Sequence, residues 1–301
     1  MFRELAHQSG FSLERLASLC EVAEAGSIGQ ASRGDANRQS LLSRQIAELE
    51  AVFGVPLLAR QARPFRLTTE GRELAQAARL LFQTVGDLRQ RVAGEAPRVV
   101  LGAGEMLIQW LLFPACDAIL RREAGMTFAF KNLDSERLVD AVQQGEVDLA
   151  LMRREDVPPG FGMAEALEFQ QAAFVPRKIS PAKGPVQPKE LASLPWVVLE
   201  GRGHFRSFLE HQAEQAGVRL KTVMECSSYT QVAMAVRTGR YAGFLPEFAR
   251  SAFAGDTSIL LRPLGRKMTY KRSLVLAWKA ATLKNRPFLE NLVQSLCRRW
   301  K

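Results

Sequence analysis

A cluster of polar side chains opens an amphipathic stretch near the start of the chain. Residues 40–60 read "SLLSRQIAELEAVFGVPLLAR", and apolar residues recur there at helical spacing: Leu42, Ile46, Leu49 and Phe53. At or just before this start lie Arg38, Gln39, Ser40, Ser43 and Arg44. The N–H groups and dipole of a helix start favour phosphate, and Arg and Gln can reach base edges in a major groove. The cluster therefore predicts contact with DNA, whereas the alternative is a solvated helix start without a partner.

Two helices are predicted before this stretch, and they would position it. "SLERLASLCEVAEAGS" has one apolar face and ends at Gly26. "SIGQASRG" offers Ser27 as an N-cap and Gly34 as a left-handed stop, which gives a helix of barely two turns. The tripeptide "DAN" follows as a turn, with Asn37 as the predicted cap of the next helix. Two short helices joined in this way form a helix-turn-helix pattern.

The segment after Gly54 predicts a two-stranded wing. "PLLARQARPFRLTTEG" has short apolar pieces around Arg60, Arg63 and Arg66, and no acidic residue comes before Glu70. Basic residues concentrated in this way suit a DNA backbone. The wing arginines, Arg60 among them, are therefore predicted DNA contacts.

A long helix is predicted from Thr69 to about Val92. Its apolar residues are spaced to form an a/d seam over nearly three heptads: Leu74, Ala78, Leu81, Val85, Leu88 and Val92. We predict a dimerisation helix, because no other long element of this region could cover the seam. The alternative is an ordinary helix packed on its own domain.

Composition narrows the class of protein. A length of 301 residues predicts two domains, or three if one is small. No apolar run reaches the roughly 18 residues that span a bilayer, and the first 30 residues lack the features of a secretion signal, so a cytoplasmic location is predicted. Four scattered cysteines and three histidines give no metal-ligand spacing, and we predict no cofactor. The formal charge of +10 lies almost entirely after residue 96, since the first 96 residues hold 12 Arg, no Lys and 11 acidic residues.

The remaining two hundred residues alternate between strand and helix patterns. After a hinge at residues 96–98, "VVLGAG", "MTFAF" and "DLALM" are predicted strands separated by two helices, which is a βαβαβ unit with a parallel sheet. The pattern starts again with "WVVLE", "KTVMEC" and "AGFLP" as strands. The final strand "SLVLAWK" and helix "PFLENLVQSLCRR" are predicted to return to the first lobe. Two α/β lobes favour a ligand cleft built from the loops at the carboxyl ends of the strands.

Together these segments resemble the LysR-type transcriptional regulator family. The match runs without gaps through "AEAGSIGQAS", "QSLLSRQIAELEAVFGVPLLAR" and "RLTTEG", and more softly through "GEVDLALM" and "VRTGRYAGFLP". The resemblance implies an all-α winged helix-turn-helix domain at 1–68 and a linker and dimerisation helix at 69–95. It implies an α/β effector region at 96–301 of two Rossmann-like lobes, similar to a periplasmic binding protein, with lobe I at about 96–174 plus 273–301 and lobe II at about 175–272. By matching position, the implied DNA contacts are Arg38, Gln39, Ser40, Ser43, Arg44 and the wing residue Arg63.

The resemblance also places ten residues at an effector cleft. They are Gly104, Glu105 and Met106 after the first strand, Arg153 after "DLALM", Arg202, Gly203, His204 and Phe205 in the second lobe, and Ser227 and Ser228. N–H groups at helix starts, Ser hydroxyls and an Arg would suit a carboxylate. The chain departs from the family at Glu105, where Ser or Thr is common, and an inward Glu105 would repel an anion. It departs again at Asp35, usually Leu, which with Gly34 should shorten the second helix.

The leading hypothesis is a homodimeric or homotetrameric regulator, not an enzyme. A small molecule in the cleft would change how paired winged helices bind double-stranded promoter DNA at an inverted repeat. RNA polymerase is a further candidate partner, and a membrane is not. One alternative is a regulator with a degenerate, ligand-independent effector domain. A solute-binding protein is disfavoured by the winged helix, and an enzyme by the lack of a nucleophile with a base, of a P-loop and of metal spacing.

Overall fold

Helices and a two-stranded wing form the amino-terminal domain around one apolar core. The computed structural model describes residues 4, 7–59, 66–122, 125–201 and 203–300. The elements here are α1 (Leu13–Ala25), α2 (Ile28–Ala31), α3 (Ala36–Phe53), β1 (Leu58–Ala59) and β2 (Arg66–Leu67). Their shared core comprises Leu16, Leu19, Val22, Ile28, Leu42, Ile46, Leu49, Leu57, Leu58 and Leu67.

Short turns join the three helices. α1 ends at Gly26 in the left-handed region at φ 80°, as predicted. α2 is capped by Ser27 and is a single turn of four residues, shorter than the predicted two turns. Arg33 and Gly34 follow with φ of 51° and 84°, so two successive left-handed residues reverse the chain before α3.

The predicted cap of α3 is wrong. The helix begins at Ala36, one residue before Asn37, and its N-cap is Asp35. The Asp35 carboxylate accepts the N–H of Asn37 at 2.8 Å and that of Arg38 at 3.1 Å. Asp and Asn cap helices about equally well, so residue type did not decide between the two positions of "DAN".

One apolar residue predicted to face inward does not do so. Phe53, the last residue of α3, is 39% exposed. Its ring meets the Phe11 ring edge to face at 6.3 Å instead of entering the core. Phe53 is the last residue of the helix, and the Phe11 ring that it meets belongs to the chain before α1.

The wing is anchored to the end of α3. β1 and β2 pair antiparallel, with Leu58 opposite Leu67. A carboxylate oxygen of Glu50 accepts the backbone N–H groups of Leu57 and Leu58 at 2.8 and 3.0 Å. Glu50 therefore satisfies two donors that the short strand pair leaves open.

A long helix follows the wing, as the heptad spacing predicts. α4 (Thr69–Val92) is capped by Thr68, whose hydroxyl accepts the N–H of Gly71 and donates to the carbonyl of Pro56. A Cβ on Gly71 would come within 2.3 Å of the Leu57 carbonyl oxygen. The Gly of "RLTTEG" is therefore required for the wing to lie against the first turn of α4.

The remaining elements make up two α/β lobes. The first run comprises β3 (Arg98–Ala103), α5 (Glu105–Leu107), a π-helical turn (Ile108–Leu112), α6 (Phe113–Leu120), β4 (Thr127–Asn132), α7 (Ser135–Gln143), β5 (Leu149–Arg153) and β6 (Phe161–Pro176). The second run comprises α8 (Pro188–Ser193), β7 (Trp196–Leu199), α9 (His204–Gln215), β8 (Thr222–Cys226), α10 (Tyr229–Arg237), β9 (Ala242–Pro246) and β10 (Ile259–Pro263). β11 (Lys271–Lys279), α11 (Ala280–Asn285) and α12 (Phe288–Trp300) close the chain.

These strands form one continuous sheet in the order β4-β3-β5-β11-β6-β9-β7-β8, and β10 also pairs with β6. β3 is parallel to β4 and β5, and β7 is parallel to β8 and β9, which confirms the two predicted βαβαβ units. β11 pairs antiparallel with β5, and α12 packs on the core of β3, so the chain does return to the first lobe.

The strand that joins the lobes was not predicted. Residues 161–170 of β6 pair with β11, and residues 171–176 pair with β9 and β10. One 16-residue strand therefore belongs to both lobes, with its midpoint at the cleft. Across the described ranges, none of the helices is long and apolar enough to cross a membrane.

Candidate nucleic-acid interface and inter-lobe cleft

The first turns of α3 present a polar face to solvent. The predicted DNA contacts on this helix are all exposed: Arg38, Gln39, Ser40, Ser43 and Arg44. The opposite face buries Leu42, Ile46 and Leu49. Arg38 donates to a carboxylate oxygen of Glu21 at 2.7 Å, and both side chains are about half exposed. An exposed pair of this kind contributes little to stability, so Arg38 can exchange Glu21 for a phosphate.

A buried polar contact that the sequence did not indicate holds α3 against α1. The Ser18 hydroxyl donates to the amide oxygen of Gln45 at 2.6 Å, and the Gln45 amide nitrogen donates to Glu14 at 3.0 Å. Ser18 and Gln45 are both buried, so these contacts satisfy polar groups that are largely shielded from water. Gln45 therefore fixes the angle at which the polar face is presented.

The wing contacts are only partly described. Arg60 and Arg63, the predicted wing contacts, lie outside the described residues. Arg66 is exposed in β2, directly across from Ala59 of β1. The described part of the wing therefore carries a guanidinium on its second strand.

A cleft of about 640 Å³ opens between the lobes. Nine residues predicted to bind the effector line it: Gly104, Glu105, Met106, Arg153, Gly203, His204, Phe205, Ser227 and Ser228. The tenth, Arg202, lies outside the described residues. Arg153 is the last residue of a parallel strand and the other eight follow the carboxyl ends of such strands, which is why the fold gathers them.

The arginines that line the described cleft are held in ion pairs. Arg153 donates two hydrogen bonds to Asp156, at 2.7 and 3.0 Å. Two further arginines line the cleft: Arg206 contacts Glu210 at 2.9 Å and Glu225 at 2.7 Å, and Arg272 pairs with Glu155. The predicted role of Arg153 as a partner for a carboxylate would require it to leave Asp156.

The predicted serines also have partners within the chain. The Ser227 hydroxyl donates to the amide oxygen of Gln231 at 3.1 Å. The Ser228 side chain caps α10 by accepting the N–H of Gln231 at 3.3 Å. The Ser228 side chain thus already satisfies one of the N–H groups that this helix start leaves open.

Glu105 lies at the mouth of the cleft and links the two lobes. The Thr230 hydroxyl at the start of α10 is 3.2 Å from a carboxylate oxygen of Glu105 and 2.9 Å from the amide oxygen of Gln109. Glu105 and Gln109 are exposed, and Thr230 is half-buried. The departure at Glu105 therefore forms a contact across the cleft from lobe I to lobe II.

The inner cleft is apolar and rich in aromatic rings. Its aromatic residues are Phe169, Phe205, Tyr229, Phe244 and Tyr270. Gln171, at the midpoint of β6, lies among them; it is 6% exposed, and its buried amide oxygen has no hydrogen-bond partner. Burial raises the pKa of the Tyr229 hydroxyl, which the Gln171 amide partly offsets. Cys226 is buried nearby, and desolvation followed by the charge of Glu200 raises the pKa of its thiol.

Two family profiles cover almost the whole chain. The "LysR substrate binding domain" matches residues 93–299, and the "Bacterial regulatory helix-turn-helix protein, lysR family" matches residues 13–72. The first profile alone spans more than half of the chain. The chain belongs to the LysR family of transcriptional regulators. Its family consists of DNA-binding regulators with an effector-binding domain, and this assigns the two halves of the fold their general roles.

Relatives of this LysR-family protein span its full architecture. A probable nitrogen assimilation transcriptional activator of Synechococcus elongatus is 23% identical over 274 residues, which are 88% of each chain. Full-length LysG of Corynebacterium glutamicum, solved with bound effector Arg, has a TM-score of 0.64 at 18% identity and covers 95% of this chain and 98% of that one. Full-length CbnR in complex with its target DNA has a TM-score of 0.54 at 19% identity and covers 97% and 100%. At these identities the solved structures show a shared fold.

Sequence reasoning missed several residues of this LysR-family cleft, and two of them lie on a strand that it did not predict. Gln171 and Phe169 lie on the crossing strand β6, and Tyr270 precedes β11. The segment "EFQQAAFVP" could have been noticed as an apolar run near a pair of amides. Its partner strands are about a hundred residues away, so no local spacing indicated which amide would face the cleft.

Proposed function

We propose that this LysR-family chain is a sequence-specific regulator that binds promoter DNA with the start of α3 and the wing. The observation that carries the proposal is the exposed polar face of α3, held in place by a buried face and by the Asp35 cap. Arg38, Gln39, Ser43 and Arg44 can reach base edges and phosphates, and Arg60 and Arg63 would follow the adjacent backbone.

The regulator would act as a homodimer or homotetramer on an inverted repeat. Exposed apolar residues on α4 support this: Leu81, Val85, Leu88 and Val92. We take 1–68 as the DNA-binding domain, 69–95 as the linker and dimerisation helix, and 96–301 as the effector domain. The working location would be the cytoplasm, where promoter DNA and RNA polymerase are available as partners.

A small molecule in the inter-lobe cleft would modulate promoter binding. The cleft volume of about 640 Å³ suits a metabolite, and its walls belong to both lobes. A ligand can shift the arrangement only by binding one form better than another, and contacts to both lobes provide that difference. LysG, which shares the fold, carries Arg as its effector. The alternative, a cleft that is ligand-independent, is favoured by the Glu105–Thr230 contact already joining the lobes.

The test is DNA binding by variants of the polar face of α3. The operator is first obtained by capturing genomic fragments with the full chain and searching them for a shared inverted repeat. Arg44→Ala is expected to weaken binding to that operator by about tenfold or more, and to lower the salt slope by about 1 if Arg44 contacts a phosphate. Ser43→Ala should weaken it less, because a neutral hydroxyl contributes about 1 kcal/mol.

The matched control is Arg219→Ala, which removes an exposed arginine far along the chain in lobe II. Its operator affinity should equal that of the unaltered chain. Equal affinities for the Arg44 and Arg219 variants in a gel shift would reject α3 as the reading helix.

A further inference from the structure

The arginines that line the cleft form ion pairs with acidic residues of the same chain. Arg153, Arg206 and Arg272 each pair with one or two carboxylates at the cleft wall. A carboxylate ligand would have to compete with partners that are already in place and that cost no association entropy. The arginines therefore offer little net attraction to an anion.

The cleft also carries acidic groups of its own. Glu105, Asp134 and Glu200 line it, and all three are exposed toward solvent. Asp134 caps α7 by accepting the N–H of Arg137, so its charge is partly engaged. Apolar walls concentrate the field of such charges inside a cleft, which favours cationic or neutral ligands over anions.

The inner wall offers a hydrogen-bond acceptor that has no partner. The Gln171 amide oxygen is buried and has no partner, Gln171 is one of the residues that line the cleft, and its amide contacts the Tyr229 hydroxyl. A buried acceptor without a donor costs about 1–3 kcal/mol. A ligand N–H or O–H at this point would remove that cost, whereas a carboxylate would place a second acceptor against the first.

Aromatic rings line the same cleft as this acceptor. The Phe205 ring lies 5.8 Å from Phe244 and 5.4 Å from Tyr270, and both contacts are edge-on or tilted. Rings arranged in this way accept a further planar ring, and their faces attract cations. The pocket therefore matches a flat apolar body with a donor group at one end.

We infer that the effector of this cleft is an aromatic compound whose polar group donates hydrogen bonds, such as an amide or an amidinium, and not a carboxylate. The inference rests on the proposed function of the cleft as an effector site. The N–H groups at the start of α9 are the feature that opposes it, because Gly203 provides no side-chain cap there and an anion could bind. A comparison of isosteric ligands decides between the two.

The experiment measures binding of benzamide, benzamidine and benzoate to the full chain by calorimetry. The three share one ring and differ in the polar group, which is a neutral donor, a cationic donor or an anionic acceptor. Benzamide and benzamidine are expected to bind at least about tenfold more tightly than benzoate. The first two can donate a hydrogen bond to the Gln171 oxygen, whereas the benzoate oxygens would be repelled by it. Tighter binding of benzamidine than of benzamide would assign the difference to the acidic groups, and equal binding would assign the preference to Gln171 alone.

Two neighbouring variants provide the control. Gln171→Met keeps the length of the side chain without its acceptor, and it should remove the preference for benzamide. Gln170→Met changes the next residue of β6, whose amide instead contacts Glu247 at 3.3 Å, and the preference should persist. Circular dichroism of both variants checks that the fold is retained.

The outcomes separate this inference from the proposed function. Operator binding is measured on the same samples. An unaltered chain that does not bind the operator would reject the proposed function as a regulator. Benzoate binding as tightly as benzamide, a preference unchanged by Gln171→Met, or no binding of any of the three would overturn the effector class while DNA binding stands.

Discussion

The carboxylate of Asp35 is the N-cap of α3. The family usually has an apolar residue here, and α2 is indeed reduced to a single turn. Asp35 instead accepts the N–H groups of Asn37 and Arg38, two of the donors that a helix start leaves open. The composition "GDAN" predicted a turn and a cap, but only the backbone conformation at Asp35, extended at φ −78° and ψ 115°, shows which residue caps α3.

Removal of this cap should loosen the start of α3. Asp35→Ala is expected to destabilise the domain by about 1 kcal/mol and to weaken operator binding, because the first turn carries the proposed DNA contacts. Asp35→Ser should restore both properties, since Ser caps as well as Asp. Asn37→Ala is the control and should change stability by less than about 0.5 kcal/mol. Urea unfolding followed by circular dichroism measures the change, and equal losses at positions 35 and 37 would contradict the assignment of the cap.

At the scale of elements, α4 has two faces with different partners. On one face Gln76 accepts from Lys279 at 2.6 Å and Gln83 donates to the Gly145 carbonyl at 2.9 Å, so the helix lies against lobe I. The opposite face exposes Leu81, Val85 and Leu88, each more than two-fifths accessible. The heptad spacing indicated the apolar face, but the polar contacts to lobe I join residues 62 and 203 positions apart and have no local signal.

The exposed face of α4 should be covered by a second copy of the chain. Leu81→Glu is expected to weaken the dimer by at least about a hundredfold, because an unpaired carboxylate in an apolar seam costs roughly 3 kcal/mol. Gln90→Glu adds the same charge to the same helix outside the apolar face and should leave the dimer intact. Sedimentation equilibrium measures both variants. A Leu81→Glu chain that dimerises as tightly as the Gln90→Glu chain would remove α4 from the interface.

At the scale of the whole molecule, sequence patterns predicted the α/β architecture but not how its parts are joined. Parallel strands and helices recur with local spacing, so both βαβαβ units could be anticipated. The crossing strand β6 pairs with residues as distant as Lys279, which lies opposite Phe161, and its burial pattern changes where it passes from one lobe to the other. The predicted residues Gly104, Arg153 and Ser228 do meet at one cleft, yet the ion pair that holds Arg153 depends on three-dimensional packing.

A buried charge cluster joins α4 to lobe I. Arg286, between α11 and α12, is 3% exposed and donates to Asp87 of α4 at 2.5 Å, to the Arg98 carbonyl at 2.7 Å and to Asp148 at 2.6 Å. Asp148 also accepts the Val100 N–H at 2.7 Å. Burial opposes the charged guanidinium, but the two carboxylates outweigh it and raise the pKa of Arg286. The Arg286 guanidinium therefore stays charged, and its contacts join the linker helix to the effector domain.

Neutralising the α4 member of this cluster should detach the linker helix from lobe I. Asp87→Asn keeps the shape of the side chain and leaves Arg286 with one carboxylate. We therefore expect the free energy of unfolding to fall by about 1–3 kcal/mol, which is less than for a buried charge left wholly unpaired. Backbone amides of α4 beyond residue 76 should then exchange their hydrogens faster, because local opening no longer breaks a buried ion pair. Glu165→Gln, which breaks the exposed pair with Arg154, should change stability by less than about 1 kcal/mol and leave exchange in α4 unaltered. Hydrogen exchange read by mass spectrometry compares the two variants, and identical protection of α4 in both would mean that Asp87 does not hold the linker to the effector domain.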